Sequence, residues 1–124
     1  MLKPDKKKNF NEAQKLCKSI CGPNCGSIYF PSSLAENNEV FGIARTTKMN
    51  EEDIWLRLSD EQTEGVWKDF ESREDLSFKN WDKDQPNNNN RNQHRALFMG
   101  RYGKWNDANA SYAVAHVICE FTYV

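Results

Sequence analysis

The segment Asn80-Trp81-Asp82-Lys83-Asp84-Gln85-Pro86-Asn87, followed some twenty residues later by Trp105-Asn106-Asp107, carries the pattern that decides this chain. Each segment ends in a cluster of side-chain oxygens. Gln85 and Asn87 place amide carbonyls on either side of a proline, and Asn106 adds an amide beside the carboxylate of Asp107. A chain reversal between the segments would aim both clusters at one point. Hard cations such as calcium take six to eight oxygen ligands and tolerate irregular geometry. An ion held this way at a surface keeps open positions that paired hydroxyls can fill. If the segments converge, the chain is a ligand-binding module.

Working outward, residues 71–94 form a polar, Asn-rich excursion with little hydrophobic periodicity. So long a connection inside a small domain signals either disorder or a binding site. The anchors Phe78 and Trp81 favour the second. Around it lie short apolar runs. In residues 54–58, Ile54, Leu56 and Leu58 alternate with Trp55 and Arg57, the period of a strand. Residues 65–70 and 96–99 are further strand candidates, and residues 113–121 close the chain with an apolar strand bearing Cys119. The N-terminal part reads differently. Asn9 with Glu12 makes a capping box ahead of Phe10, Ala13, Leu16, Cys17 and Ile20 at helical spacing. After a turn and a short strand that puts Ile28 and Phe30 on one face, Ser33 with Glu36 makes a second box. It precedes Leu34, Val40, Phe41 and Ala44, so a second helix is predicted over residues 33–46. With no repeat and no linker, residues 1–124 read as a single α+β domain: two helices packed on small antiparallel sheets, termini close together, and one long functional loop.

The chain has 124 residues, 17 Lys plus Arg, 18 Asp plus Glu and a formal charge of -1. Interspersed charges of both signs argue against nucleic acid as the partner, and the run Lys6-Lys7-Lys8 reads as a solvated lead into the first helix. No stretch has the apolar length of a membrane span, and no leader is legible at Met1. The expectation is a mature domain without its signal peptide. Cys17, Cys21, Cys25 and Cys119 decide the compartment. The C-x3-C-x3-C spacing raises a zinc site, but the turn at residues 22–24 and Gly26 break the helix such a site would use. An even count in a small domain reads better as two disulfides and an oxidising, extracellular setting. Of the three pairings, Cys17–Cys119 with Cys21–Cys25 is favoured. His116 is expected in the last strand as a structural residue, and His94 as a solvent-exposed one. Glu71, Glu74 and Asp75 read as a charged turn. No nucleophile and base fall together, so an enzyme is not expected.

These landmarks, taken in order, resemble the C-type lectin-like domain over nearly the whole chain. Phe10-x-x-Ala13-x-x-x-Cys17 is similar to that family's first helix and cysteine. Trp55-Leu56-Arg57-Leu58 resembles its central strand, Asn80-Trp81 the approach to its loop motif, Trp105-Asn106-Asp107 its next strand, and Ile118-Cys119-Glu120 its closing strand. The resemblance implies a long-loop calcium site and a Cys17–Cys119 disulfide. It implies calcium ligation by Gln85, Asn87, Gln93, Asn106 and Asp107, with a cis peptide before Pro86 and the Asp107 backbone carbonyl joining the shell. The same side chains would hydrogen-bond vicinal hydroxyls of a terminal sugar. A second metal site used by some relatives would draw on Asp60, Glu64 and Asn88, with Gln93 nearby.

The sequence departs from the family at telling places. Gln93 and Gln85 stand where glutamates are common, so only Asp107 among the five ligands is charged, and weak calcium binding is expected. The inner disulfide is missing: Arg95 occupies one cysteine position, and no cysteine lies between Asp107 and Cys119. Gln85-Pro86-Asn87 mixes the motifs of mannose and galactose binders. With no aromatic residue following it, the balance falls narrowly toward mannose- or fucose-type hydroxyl pairs. The implied function is a secreted, calcium-dependent lectin that would need clustering, as in a homo-oligomer, for avidity. The alternative is a lectin-like domain that has lost calcium and binds protein, or ice, through the same loop face. The one glycosylation sequon, Asn109-Ala110-Ser111, lies beside the proposed site and is expected to be unmodified or turned from the opening.

Overall fold

The computed structural model describes residues 7–22, 24–46, 53–87, 93–110 and 115–121. Helix α1 (Phe10–Cys21) starts at the predicted capping box. Glu12 N–H donates to Asn9 Oδ1 at 2.9 Å and Asn9 N–H donates to Glu12 Oε1 at 3.0 Å. Two donors that the first turn would otherwise leave open are thereby satisfied. Phe10, Ala13 and Cys17 form its buried face. Ile20, expected on that face, is 43% exposed, because the last turn runs past the packed layer before the helix stops at Gly22. Helix α2 (Leu34–Thr46) realises only half of its predicted box. Glu36 N–H donates to Ser33 Oγ at 3.1 Å, but the Glu36 carboxylate accepts from the Ser32 backbone and hydroxyl instead. Those two bonds hold the Glu36 carboxyl below its ordinary pKa. Leu34 is exposed, and Val40 and Ala44 carry the buried face.

Strands β2 (Asp53–Ser59), β3 (Lys68–Asp69), β4 (Arg95–Met99) and β5 (Lys104–Ala108) form one antiparallel sheet in the order β3-β2-β4-β5. Strands β1 (Gly26–Ile28) and β6 (Cys119–Phe121) pair antiparallel in a second. The strand expected over residues 65–70 contracts to two residues. The one expected over residues 113–121 is broken into bridges from Ala115 to Lys8 and from His116 to Ile54, followed by β6; residues 113–114 lie outside the described residues. Side-chain alternation splits the larger sheet into two buried faces. Ile54, Leu56, Leu58, Ala96, Phe98 and Trp105 meet Val40 and Ala44 on one side. Trp55, Leu97 and Ala108 meet Phe10, Ala13 and Cys17 on the other. Ile28 and Phe30, expected on one face, divide between these cores, since β1 ends at Ile28 and alternation stops there.

Both favoured disulfides are present, Cys17–Cys119 spanning 102 residues and Cys21–Cys25 spanning 4. The first ties α1 to β6, and the approach is close enough to require glycine beneath it. A Cβ at Gly26 would lie 1.9 Å from the Cys17 carbonyl oxygen. Arg95 fills the place of the missing inner cysteine by another chemistry. Its guanidinium lies over Phe10 (4.6 Å) and Phe70 (5.0 Å) and pairs with Glu61 at 2.7 Å. It also donates to Ser59 Oγ at 3.0 Å. A stacked, buried cation thus holds β4 to the segment that follows β2. Arg95→Ala is expected to cost about 2–4 kcal/mol, from lost cation–π contact and charged hydrogen bonds. Arg95→Lys should recover little of it, because an ammonium lacks the planar stack. Urea unfolding of the three proteins checks this; equal stabilities would contradict it.

Candidate ligand-binding site

Strand β5 lies at one edge of its sheet, and its outer side receives the loop segment. Trp105 N–H donates to the Asn80 carbonyl at 2.9 Å, and Asp82 N–H donates to the Trp105 carbonyl at 2.8 Å. Asn80 is itself anchored, its Nδ2 donating to the Gly103 carbonyl at 2.7 Å. Asn37 of α2 donates to that same carbonyl at 2.9 Å and accepts from Trp105 Nε1 at 2.9 Å. Trp105 stands in edge contact with Phe30, Phe78 and Trp81, and Trp81 with Trp67. The two aromatic anchors of the long loop are therefore half-buried against the core. They explain why a segment with so few strands holds one course.

This zipper carries the chain past Trp105 to the two oxygen clusters. The Gln85–Pro86 peptide is cis. Asn87 N–H donates to Asp107 Oδ1 at 3.2 Å, so the two segments meet. Asp107 is 1% exposed and Asn106 is half-buried. Strand alternation points the two side chains to opposite faces of β5. Gln85 Oε1 is buried without a hydrogen-bond partner among the described residues. An orphaned carbonyl oxygen costs free energy unless something completes it, and a cation would. Gln93 is half-buried just before β4. The donor set of four amides and one carboxylate is all oxygen and fits a hard cation such as calcium, weakly held.

A second cluster lies where Asp60 and Glu64 follow β2. Asp60, Glu64 and His94 bring one ligand atom each within 4.8 Å of one another. The expected third member, Asn88, lies outside the described residues. His94 takes a place that the sequence reading gave to solvent. Its Nδ1 is 2.9 Å from Asp60 Oδ1 and 3.7 Å from Glu64 Oε1. Contact with Asp60 raises the Glu64 carboxyl above its ordinary pKa, with His94 acting in the opposite sense. The signal was present in the sequence as Asp-x3-Glu with a histidine beside Gln93, but nothing local says that the loop folds back.

His116 is buried, as a structural histidine should be. A polar groove of about 320 Å³ lined by Lys18, Arg57, Asp69 and Glu120 shares no residue with either cluster. Its charges are already matched. Arg57 pairs with Asp69 at 3.0 Å and with Glu120, and Lys18 with Glu71 at 2.8 Å. Burial works against the Arg57 charge, yet these partners outweigh it and raise the guanidinium pKa. No described helix is long and apolar enough to cross a membrane.

Comparison with known proteins agrees with this fold. The lectin C-type domain pattern matches residues 6–121. Tetranectin from Mus musculus is 33% identical over 120 residues, covering 94% of this chain and 56% of tetranectin. The chain thus spans about half the length of the curated relatives it matches. Among solved structures, the C-type lectin CEL-I from Cucumaria echinata superposes with a TM-score of 0.86 at 24% identity, covering 97% of this chain and 87% of that one. The cow C-type carbohydrate-recognition domain of CD23, crystallised in the presence of GlcNAc2Man3 oligosaccharide, gives 0.76 at 21% identity, covering 95% and 82%.

Proposed function

This chain belongs to the C-type lectin domain family, and from that premise we propose that it is a secreted, calcium-dependent sugar-binding module. The observation that carries the reading is the meeting of Asn87 with Asp107, together with a buried Gln85 carbonyl oxygen that has no hydrogen-bond partner among the described residues. Gln85, Asn87, Gln93, Asn106 and Asp107 would hold one calcium ion at the edge of β5. That ion would supply open positions for two vicinal hydroxyls of a terminal sugar, and the amides would hydrogen-bond the same hydroxyls. An amide can donate or accept, so the pair at Gln85 and Asn87 does not itself choose the sugar; the lack of an aromatic residue in residues 88–91 tips the balance narrowly to mannose- or fucose-type hydroxyls over galactose-type. An ion site on a strand edge needs no deep pocket. The CD23 domain crystallised with an oligosaccharide supports the ligand class by analogy of fold. The two disulfides support an oxidising, extracellular setting. One such site binds a monosaccharide weakly, so clustering would supply avidity.

A glycan array probed in calcium and again in chelator tests the reading. Binding to mannose- or fucose-terminated glycans in calcium alone is the expected result. Equal binding in both conditions would overturn the calcium dependence, and none in either would favour the second reading, a domain without a functional calcium site that binds protein, or ice, through this face. The scarcity of carboxylates among the five ligands is what speaks for that reading.

A further inference from the structure

We propose that Asn37, in the first turn of helix α2, is a positioning residue for the ligand site at the edge of β5; the inference rests on the calcium and sugar reading of that edge. Asn37 is 2% exposed. A buried amide left unpaired costs free energy, and this one is paired at both ends. Its Nδ2 donates to the Gly103 carbonyl at 2.9 Å, and its Oδ1 accepts from Trp105 Nε1 at 2.9 Å. A carbonyl only accepts and an indole N–H only donates, so these two partners fix which way the amide points.

Both partners belong to the framework of the site. Trp105 immediately precedes Asn106 and Asp107, and its backbone holds Asn80 and Asp82 of the loop. The Asp82 carbonyl in turn accepts from Gln85 N–H at 3.0 Å, which carries the connection to the first proposed ligand. The Gly103 carbonyl accepts from Asn80 Nδ2 as well as from Asn37, so one oxygen gathers an amide from α2 and an amide from the loop. The turn presenting that oxygen has little freedom. Gly103 N–H donates to the Met99 carbonyl at 2.8 Å. Gly103 also has a φ of +71°, and a Cβ there would meet Phe41 of α2 at 3.3 Å, so only glycine suits the place.

One side chain of α2 thus aligns both segments that carry ligands, residues 85–87 and 106–107, although 66 and 68 residues separate it from its two partners. Asn37→Leu keeps the volume and removes both bonds. It leaves a buried indole N–H unpaired and Gly103 held by Asn80 alone, so the expected loss is of alignment between the oxygen clusters.

The test pairs a calcium titration with hydrogen exchange, at a temperature where each protein is folded. Calcium affinity should fall by roughly 2–30-fold in Asn37→Leu, the span of coupling carried through packed networks. Val40→Ala, on the buried face of the same helix, also lowers stability but should leave calcium affinity in place. Without calcium, the Asp82 and Trp105 amides should lose exchange protection in Asn37→Leu, while the Trp55 amide, bonded to the His116 carbonyl, keeps its own. Because the variant can fail to fold, the unmodified protein gives a further reading: its Trp105 indole N–H should exchange slowly. Unchanged calcium affinity or full Asp82 protection in a folded Asn37→Leu protein would overturn the proposal. So would an equal fall in affinity in Val40→Ala, or fast exchange of the Trp105 indole. Absence of calcium binding in the unmodified protein would instead remove the calcium reading, and the exchange data would still decide whether Asn37 holds the loop.

Discussion

Replacing Asp107 by alanine should abolish calcium-dependent sugar binding while leaving a folded protein. Asp107 is the one charged group among the five proposed ligands, and calcium affinity follows ligand charge. Four amides without it offer no net charge to a divalent ion. Its carboxylate also fixes the loop, since Asn87 N–H donates to Asp107 Oδ1. Losing that acceptor removes one hydrogen bond to a charged group, at about 1.5–3 kcal/mol, a tolerable fraction of the roughly 5–15 kcal/mol stability of a small domain. Asp107→Asn separates the two effects. An amide oxygen can still accept from Asn87, so the loop should stay in place while calcium binding falls. Retention on a sugar column in calcium, with far-ultraviolet circular dichroism as the control for folding, reads both variants. Undiminished retention of a folded Asp107→Ala protein would remove Asp107 from the site.

The second large effect concerns the scaffold. Exchanging Cys17 and Cys119 together for serine should destabilise the protein by about 4–5 kcal/mol, the loop-closure entropy of a ring of roughly one hundred residues. The same exchange at Cys21 and Cys25 should cost only about 2 kcal/mol on that scale. Sequence separations of 102 and 4 set the contrast. The long-range bridge has a packing role too, because both its sulfurs lie in the core shared with Phe10, Ile28 and Trp55. Guanidinium unfolding of the two double variants gives the difference directly. Equal losses would show that chain entropy does not govern the effect.

The helices and the central strand were legible because their signals are local. Asn9, Glu12 and the alternation through Ile54, Leu56 and Leu58 act within a few residues of themselves. The meeting of the two oxygen clusters was legible for a different reason, the ordered family landmarks around them. What failed was set by tertiary placement. Leu34 and Ile20 have helical spacing, but nothing in the sequence says where the packed layer ends. Phe30 left the face of Ile28 because β1 is only three residues long. Glu36 chose Ser32 over Ser33, two hydroxyls that the sequence cannot rank. His94 looked solvated because its partner, Asp60, is 34 residues away. Arg95 read only as an absent cysteine, whereas its three-sided clamp needs Phe10, Phe70 and Glu61 from separate elements.

The central claim, that the edge of β5 binds calcium, rests most directly on a calcium titration of the unmodified protein followed by thermal unfolding. A ligand that binds only the native state raises the melting temperature with its concentration. The account predicts a rise that sets in at millimolar calcium, grows with added mannose, and is absent in Asp107→Ala. A melting temperature that stays flat up to tens of millimolar calcium, with or without sugar, would contradict it.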